Sequence, residues 1–188
     1  MLAKSIIDAH EVLAEFIANR SNLERLDTVS KELAAVLRSD GKILAIGNGG
    51  SMCDAMHFCE ELTGRFRDDR APMPAIACSD PGHLTCVAND YGYDEVFARW
   101  VRGLGRQGDA LVALSTSGNS ANVIRAVETA KEIGLRVVLL LGKNGGKLAG
   151  TGDHQWIAPG ETADRIQEIH MLVLHTLIEG IERHSVTG

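Results

Sequence analysis

Two pairs of residues and two loops carry the side chains in this sequence that can do chemistry. His57 and Glu61 are four apart in a stretch with helical apolar spacing, so they share one helix face, a turn from each other. Gln167 and His175 are eight apart in the last helical stretch, roughly 80° around the axis and ~12 Å along it, so one site receives both only through the reach of the side chains. Two imidazoles, a carboxylate and an amide oxygen form a donor set for a divalent cation, zinc above others, although an amide is an unusual ligand. Each residue also has a bland explanation: a histidine on an apolar helix is commonly a satisfied core residue, and His57 with Glu61 matches an exposed i, i+4 pair.

The first loop, Gly47-Asn48-Gly49-Gly50-Ser51, follows a short apolar run and precedes a helical stretch. Its glycines permit positive φ and close backbone approach, and a helix start offers unpaired N–H groups to an anion or to sugar oxygens. It is no dinucleotide fingerprint, because Met52 stands where the last glycine is needed, and no Gly-Lys-Ser/Thr makes a P-loop. The second loop, Ser115-Thr116-Ser117-Gly118-Asn119-Ser120, gathers four hydroxyls without a positive side chain, which suits a phosphate monoester held by N–H and O–H groups. The competing explanation is an elaborate N-cap, yet a cap needs one such residue and this loop offers five. Among other polar residues, Asp54 is an acidic candidate, Asn89-Asp90 either binds hydroxyls or ends a helix before Tyr91-Gly92, Asp164 suits the first turn of a helix, and Arg65, Arg67 and Arg70 fit a solvated face.

The elements that must position these residues follow from hydrophobic periodicity. Residues 3–19 and 22–38 form two amphipathic helices, with Ser21-Asn22 as the break between them. Strands are expected at 42–47, 74–77, 110–115, 136–141 and 155–157, continuous apolar runs of the kind a parallel sheet buries on both faces. Helices are expected from Cys53 to Leu62, from Ser120 through Lys131, and from Ala163 to Arg183, the last so apolar around its girth that it must be buried, in part by another subunit. The fold class is α/β: a three-layer αβα sandwich around a five-stranded parallel sheet. It forms one domain over 1–188, with an N-terminal helical pair (1–40) on an α/β core (41–188).

Composition sets the remaining bounds. The 188 residues suffice for one domain with a sizeable core; 45% hydrophobic and 23% charged residues, with 20 Gly and 4 Pro, exclude disorder and collagen-like repetition. A net charge of −6 provides no general basic surface for nucleic acid or an anionic membrane, so an anionic ligand must be held by a local device. No apolar run approaches the roughly 20 residues of a membrane span, and Asp8, Glu11 and Glu15 interrupt the N-terminal pattern, unlike a signal peptide, so a cytoplasmic location is expected. Cys53, Cys59, Cys78 and Cys86 show no C-x-x-C spacing and fit buried thiols in a reducing compartment.

Taken together, the glycine loop, the segments Asp54-Ala55-Met56-His57-Phe58 and Glu60-Glu61-Leu62-Thr63-Gly64-Arg65, the hydroxyl loop, and Ala163-Asp164-Arg165-Ile166-Gln167-Glu168-Ile169-His170 resemble the phosphoheptose isomerases of the sugar-isomerase (SIS) domain family. The resemblance runs in order from the N-terminal helices to about residue 183. It implies an aldose-ketose isomerase that converts D-sedoheptulose 7-phosphate into D-glycero-D-manno-heptose 7-phosphate through an enediol. It implies Glu61 and His175 as the acid-base pair, and Asn48, Gly49, Gly50, Ser51, Glu61, Asn89, Asp90, Ser115, Thr116, Ser117, Ser120 and Gln167 as substrate contacts. It further implies one zinc per subunit on His57, Glu61, Gln167 and His175, no organic cofactor, and a homotetramer with shared active sites. Met52 departs from the family pattern but replaces no residue given a role. The rival reading is a non-catalytic SIS-domain protein that associates with the replication initiator; such a protein has no need of Glu61, Gln167 and His175, all of which are present.

Overall fold

The computed structural model describes residues 2–186. Two helices, α1 (Leu2–Ala18) and α2 (Arg20–Arg38), lead into β1 (Ile43–Ile46), α3 (Gly50–Thr63), β2 (Ala75–Ala77), α4 (Pro81–Tyr91), a 3-10 turn (Tyr93–Glu95) and α5 (Val96–Leu104). Then follow β3 (Ala110–Ser115), α6 (Ala121–Ile133), β4 (Arg136–Gly142), a second 3-10 turn (Gly146–Leu148), β5 (His154–Ala158) and α7 (Ala163–Val186). The five strands pair in the order β2-β1-β3-β4-β5, every pair parallel. The chain leaves β1 toward β2 and then returns to β3 on the other side, so the sheet reverses direction between β1 and β3. In open parallel sheets that reversal opens a crevice at the carboxyl ends of the strands.

Alternate strand residues point to opposite faces, and each face has its own core. Ile43, Ala45, Ala110, Val112, Leu114, Val138 and Leu140 join Leu33, Phe58, Leu62, Trp156, Ile169, Val173 and Ile178 beneath α2, α3 and α7. Leu44, Ile46, Leu111, Ala113, Val137, Leu139 and Leu141 join Phe97, Trp100, Val101, Val123 and Val127 beneath α5 and α6. Double coverage explains why β1, β3 and β4 read as unbroken apolar runs. Helix α7 lies against α2 through Gly180, where a Cβ would stand 2.2 Å from the Ser30 hydroxyl oxygen. The N-terminal pair is tied to the sheet by Trp156, whose indole N–H donates to the Asn22 carbonyl at 2.9 Å, and by Asn22, whose amide donates to the Phe16 carbonyl at 3.0 Å.

Several expectations are corrected in detail. Asn19, not Ser21-Asn22, caps α2, its side chain accepting from the Ser21 N–H. Helix α3 begins at Gly50 rather than Cys53, so the end of the glycine loop is already its first turn. Strand β1 is shorter than 42–47, and β5 extends one residue beyond 155–157 at each end. Helices α4 and α5 were not anticipated, although Asp80-Pro81 is a cap followed by proline at the first helical position, and Val96, Phe97, Trp100 and Val101 follow helical spacing. Met52 packs against the core beneath α5 and α6. All four cysteines are free; Cys53 and Cys86 are exposed rather than buried as expected, whereas burial pushes the Cys59 and Cys78 thiols up to about 12 and leaves those two inert.

His170 is wholly buried in α7 and hydrogen-bonds the Leu141 carbonyl through Nε2 at 2.9 Å, while Nδ1 has no partner. Burial holds its pKa down to about 4 from an ordinary 6.5, the bond to Leu141 opposing this in part. The unfolded chain therefore binds this proton near pH 6.5 and the folded chain only near pH 4. Stability falls as pH drops through that window, by about 3 kcal/mol in all from this group. In urea titrations, His170→Gln, which keeps a donor for Leu141, is expected to lose less stability than the parent between pH 7 and pH 4.5; parallel losses would refute this.

Candidate active site

The loops after β1 and β3 flank the reversal in the sheet, and each runs into a helix whose N-cap residue makes no side-chain cap bond. Gly49, at φ +57, and Ser120 occupy the N-cap positions of α3 and α6, and neither makes a side-chain cap bond. By contrast, Asn19 and Asp80 cap α2 and α4 through their side chains. Capping therefore does not account for the hydroxyl loop, and two helix N-termini are left for an anion.

The hydroxyl loop is stiffened from within. The Ser115 hydroxyl accepts from the Gly118 N–H at 3.1 Å and stands 3.4 Å from the Ser120 hydroxyl, and the Ser117 hydroxyl accepts from the Asn119 N–H at 3.1 Å. Gly118 sits at φ +63, and a Cβ there would lie 1.8 Å from the Gly145 carbonyl oxygen. In the glycine loop, a Cβ on Gly50 would lie 2.6 Å from Nε2 of Gln167, whose amide also donates to the Ser51 hydroxyl at 3.4 Å. The absent side chain is what admits Gln167 to the loop. The Asn48 amide is paired with Asn122 and also accepts from the Tyr93 hydroxyl at 2.9 Å.

A second cluster lies farther along α3. Glu61 has a 13% exposed side chain; its Oε1 is 3.3 Å from His57 Nε2 and its Oε2 is 3.5 Å from His175 Nε2. The two imidazoles meet edge-on with ring centroids 5.2 Å apart, and Phe66 stacks on His175 at 5.8 Å. One ligand atom from each of His57, Glu61 and His175 falls within 4.8 Å of the others. Buried Glu61 Oε2 has no hydrogen bond within the chain, its nearest polar neighbour being His175 Nε2 at 3.5 Å. Asp54 is on the same face of α3, seven residues before Glu61; its Oδ2 is also buried without a partner, and burial pushes its carboxyl up to about 6 against the opposing pull of His57.

Three of the four expected metal donors thus stand together, and Gln167 does not join them. Its contact is with Ser51, ten residues and ~15 Å of helix from Glu61, because 80° and two turns separate it from His175 on α7. Asn89 and Asp90 lie exposed at the end of α4, Asn89 donating to Asp90 at 2.7 Å, and α4 does end before Gly92. Arg67 and Arg70 pair with Glu179 and Glu182 at 2.8 Å beside a groove of about 850 Å³ that adjoins the Glu61 cluster: Arg67 lies over the Phe66 ring, and Arg70, mostly buried rather than on a solvated face, donates to the Glu61 carbonyl at 2.6 Å. Asp164 is in the first turn of α7, its carboxyl held down by the Thr162 hydroxyl. Asn122, Tyr93 and Phe66 escaped the sequence reading; a second asparagine two residues after Ser120 was the available signal for the first. Gly118→Ala is expected to lower the thermal midpoint by several degrees, whereas Gly50→Ala should leave it nearly unchanged while raising KM for a phosphosugar. Equal thermal effects would overturn this division of roles.

Comparison with known proteins agrees with this geometry. The SIS domain family model matches residues 6–142. Phosphoheptose isomerases of Fusobacterium nucleatum and Edwardsiella ictaluri are 54% and 50% identical, covering 92% and 100% of this chain and 89% and 97% of their own. The phosphoheptose isomerase structure from Neisseria gonorrhoeae superposes with a TM-score of 0.88 at 41% identity, covering 97% of each chain. That from Francisella tularensis gives 0.91 at 33% identity, covering 97% of this chain and 96% of its own. With a parallel sheet reversing beside two uncapped helices, a carboxylate set between two imidazoles, and such relatives over nearly its whole length, the chain belongs to the phosphoheptose isomerase family of SIS-domain proteins.

Proposed function

We propose that the chain is an aldose-ketose isomerase that interconverts D-sedoheptulose 7-phosphate and D-glycero-D-manno-heptose 7-phosphate in the cytoplasm, toward bacterial nucleotide-activated heptose. The observation that carries this reading is Glu61, a mostly buried carboxylate with one orphaned oxygen between two imidazoles. The phosphate is held by the loop Ser115, Thr116, Ser117 and Ser120 with the α6 N-terminus. Asn48, Gly49, Gly50, Ser51, Gln167, Asn89 and Asp90 meet the sugar hydroxyls.

Isomerisation removes a proton from C1 of the ketose and returns one to C2. Glu61 takes the C1 proton, leaving a cis-enediolate, exchanges it with solvent, and returns a proton to C2. His175 gives a proton to O2 and removes the one on O1, so the C1 carbonyl forms with no net gain or loss of protons. His57 and His175 hold the carboxylate from either side. The donor chemistry of His57, Glu61 and His175, with an unsatisfied carboxylate oxygen, fits zinc. When bound, zinc stabilises negative charge on the sugar oxygens as a Lewis acid. Glu61 presents its two oxygens to different imidazoles, so engagement of one leaves the other to carry the proton.

Gln167 lies at the far end of α3 in its own chain, so it joins the metal set as Gln167 of the partner subunit in a homotetramer with shared sites. Exposed Leu2, Ile6, Ile7 and Ile17 on α1, and exposed Met56 and Leu172 on the two helices that carry the triad, support such burial between copies.

An NMR time course with sedoheptulose 7-phosphate in deuterated buffer is expected to show aldoheptose anomeric signals with the parent protein and none with Glu61→Gln, with deuterium entering at C2. No turnover by the folded, zinc-supplemented parent would favour the non-catalytic binding protein instead. Light scattering should give a tetramer, and zinc content by elemental analysis should fall at least tenfold in His57→Ala and in Gln167→Ala; a monomer that binds substrate normally would remove the shared site.

A further inference from the structure

The amide of Asn48 is committed to a hydrogen-bond network, buried at Asn122 and exposed at Tyr93, that ties three loops together. Asn122 is 3% exposed, and its Oδ1 accepts from the Val123 N–H at 2.9 Å. That backbone donor fixes which way the Asn122 amide faces. Its Nδ2 therefore donates to Asn48 Oδ1 at 2.9 Å, and Asn48 Nδ2 donates back to Asn122 Oδ1 at 2.9 Å. With Asn48 Oδ1 facing this way, the Tyr93 hydroxyl must be the donor in its 2.9 Å contact. One Asn48 N–H is left over, held in a single direction.

Each member of the network belongs to a different part of the site. Asn48 is in the glycine loop, Asn122 is in the first turn of the helix behind the hydroxyl loop, and Tyr93 follows α4, which carries Asn89 and Asp90. Helix α4 fully buries only Val87, with Leu84 and Ala88 half-buried against the core, and Gly92 at φ +91 joins it to Tyr93, so polar contacts at its ends help to fix its place. The bond from Tyr93 is one of them; another is His83, whose Nε2 lies 2.9 Å from the Val96 carbonyl oxygen.

We propose that Asn122 is a positioning residue, which acts through Asn48 to hold the sugar-binding glycine loop in register with the phosphate-binding loop, with Tyr93 extending the same lock to α4. The proposal rests on the isomerase reading above. It assigns the network to the polyol end of the ligand: the hydroxyl loop can bind phosphate without it, but cannot present the sugar chain to Glu61.

The test is steady-state kinetics on the full chain with sedoheptulose 7-phosphate, beside calorimetric affinity for inorganic phosphate. Asn122→Ala is expected to raise KM roughly 10-fold, as loss of two buried hydrogen bonds implies, with kcat within about twofold and phosphate affinity unchanged. Asn122→Ser, which can still accept from the Val123 N–H, should behave alike and serves if the alanine variant folds poorly. Tyr93→Phe should raise KM roughly 3-fold in the parent and not at all in Asn48→Ala, and the Asn48→Ala/Asn122→Ala pair should be no worse than Asn48→Ala alone. Tyr91→Phe, whose ring stacks under Arg99, should match the parent. Additive effects, an unchanged KM, or equal losses for phosphate and sugar phosphate would overturn the proposal. Hydrogen exchange separates this failure from that of the isomerase reading: whether or not the parent turns over, Tyr93→Phe should speed exchange across residues 81–92 and not across 121–133, and unaltered exchange would refute the lock.

Discussion

Helix α7 approaches α2 so closely that only a glycine fits at position 180, and this contact governs where its polar residues land. Pressed onto the sheet by Ile166, Ile169, Val173, Leu177 and Ile181, the helix has no freedom to rotate or slide without losing a face of the core. Fully burying each such side chain is worth about 1.5 to 3 kcal/mol, so the sum far exceeds the cost of holding polar groups near it. Gln167 is thereby delivered to the glycine loop and His175 to Glu61, two turns apart. The chemistry is an edge condition of an apolar packing problem.

A second constraint shapes the two loops beyond the sheet. Parallel strands all present their carboxyl ends on one side, and the helices that follow begin there with unpaired N–H groups. Leaving Gly49 and Ser120 without side-chain caps keeps those groups for a ligand. A glycine at the N-cap, as at position 49, costs only about a few tenths of a kcal/mol relative to a side-chain cap. No lysine or arginine is found in either loop, so what the loops offer in this chain of net charge −6 is backbone N–H groups, hydroxyls and amides.

The two clusters differ in how complete they are in one chain. The loops at the reversal are closed by bonds within the chain, Ser115 with Gly118 in one and Asn48 with Asn122 between the glycine loop and α6. The Glu61 side is open: His57 and His175 are partly exposed, Met56 and Leu172 are bare beside them, and Glu61 Oε2 is unsatisfied.

The sequence by itself determined the elements that a period can encode. Strands buried on both faces have unbroken apolar runs, so β1, β3 and β4 were legible, and so were the amphipathic helices and the loops rich in glycine and hydroxyls. His57 and Glu61 were legible as partners because four residues is a local, helical distance. Helix α4 was not, since it buries only Val87 and has little apolar pattern, although its Asp80-Pro81 start was there to be read. What only the tertiary structure decided was which distant residues meet: that His175 joins Glu61 while Gln167 stays at Ser51, and that Asn122 pairs with Asn48 across 74 residues. Spacing fixes angles on one helix, but the register between helices is set by side-chain packing, here at Gly180 and Gly50, and no period records it.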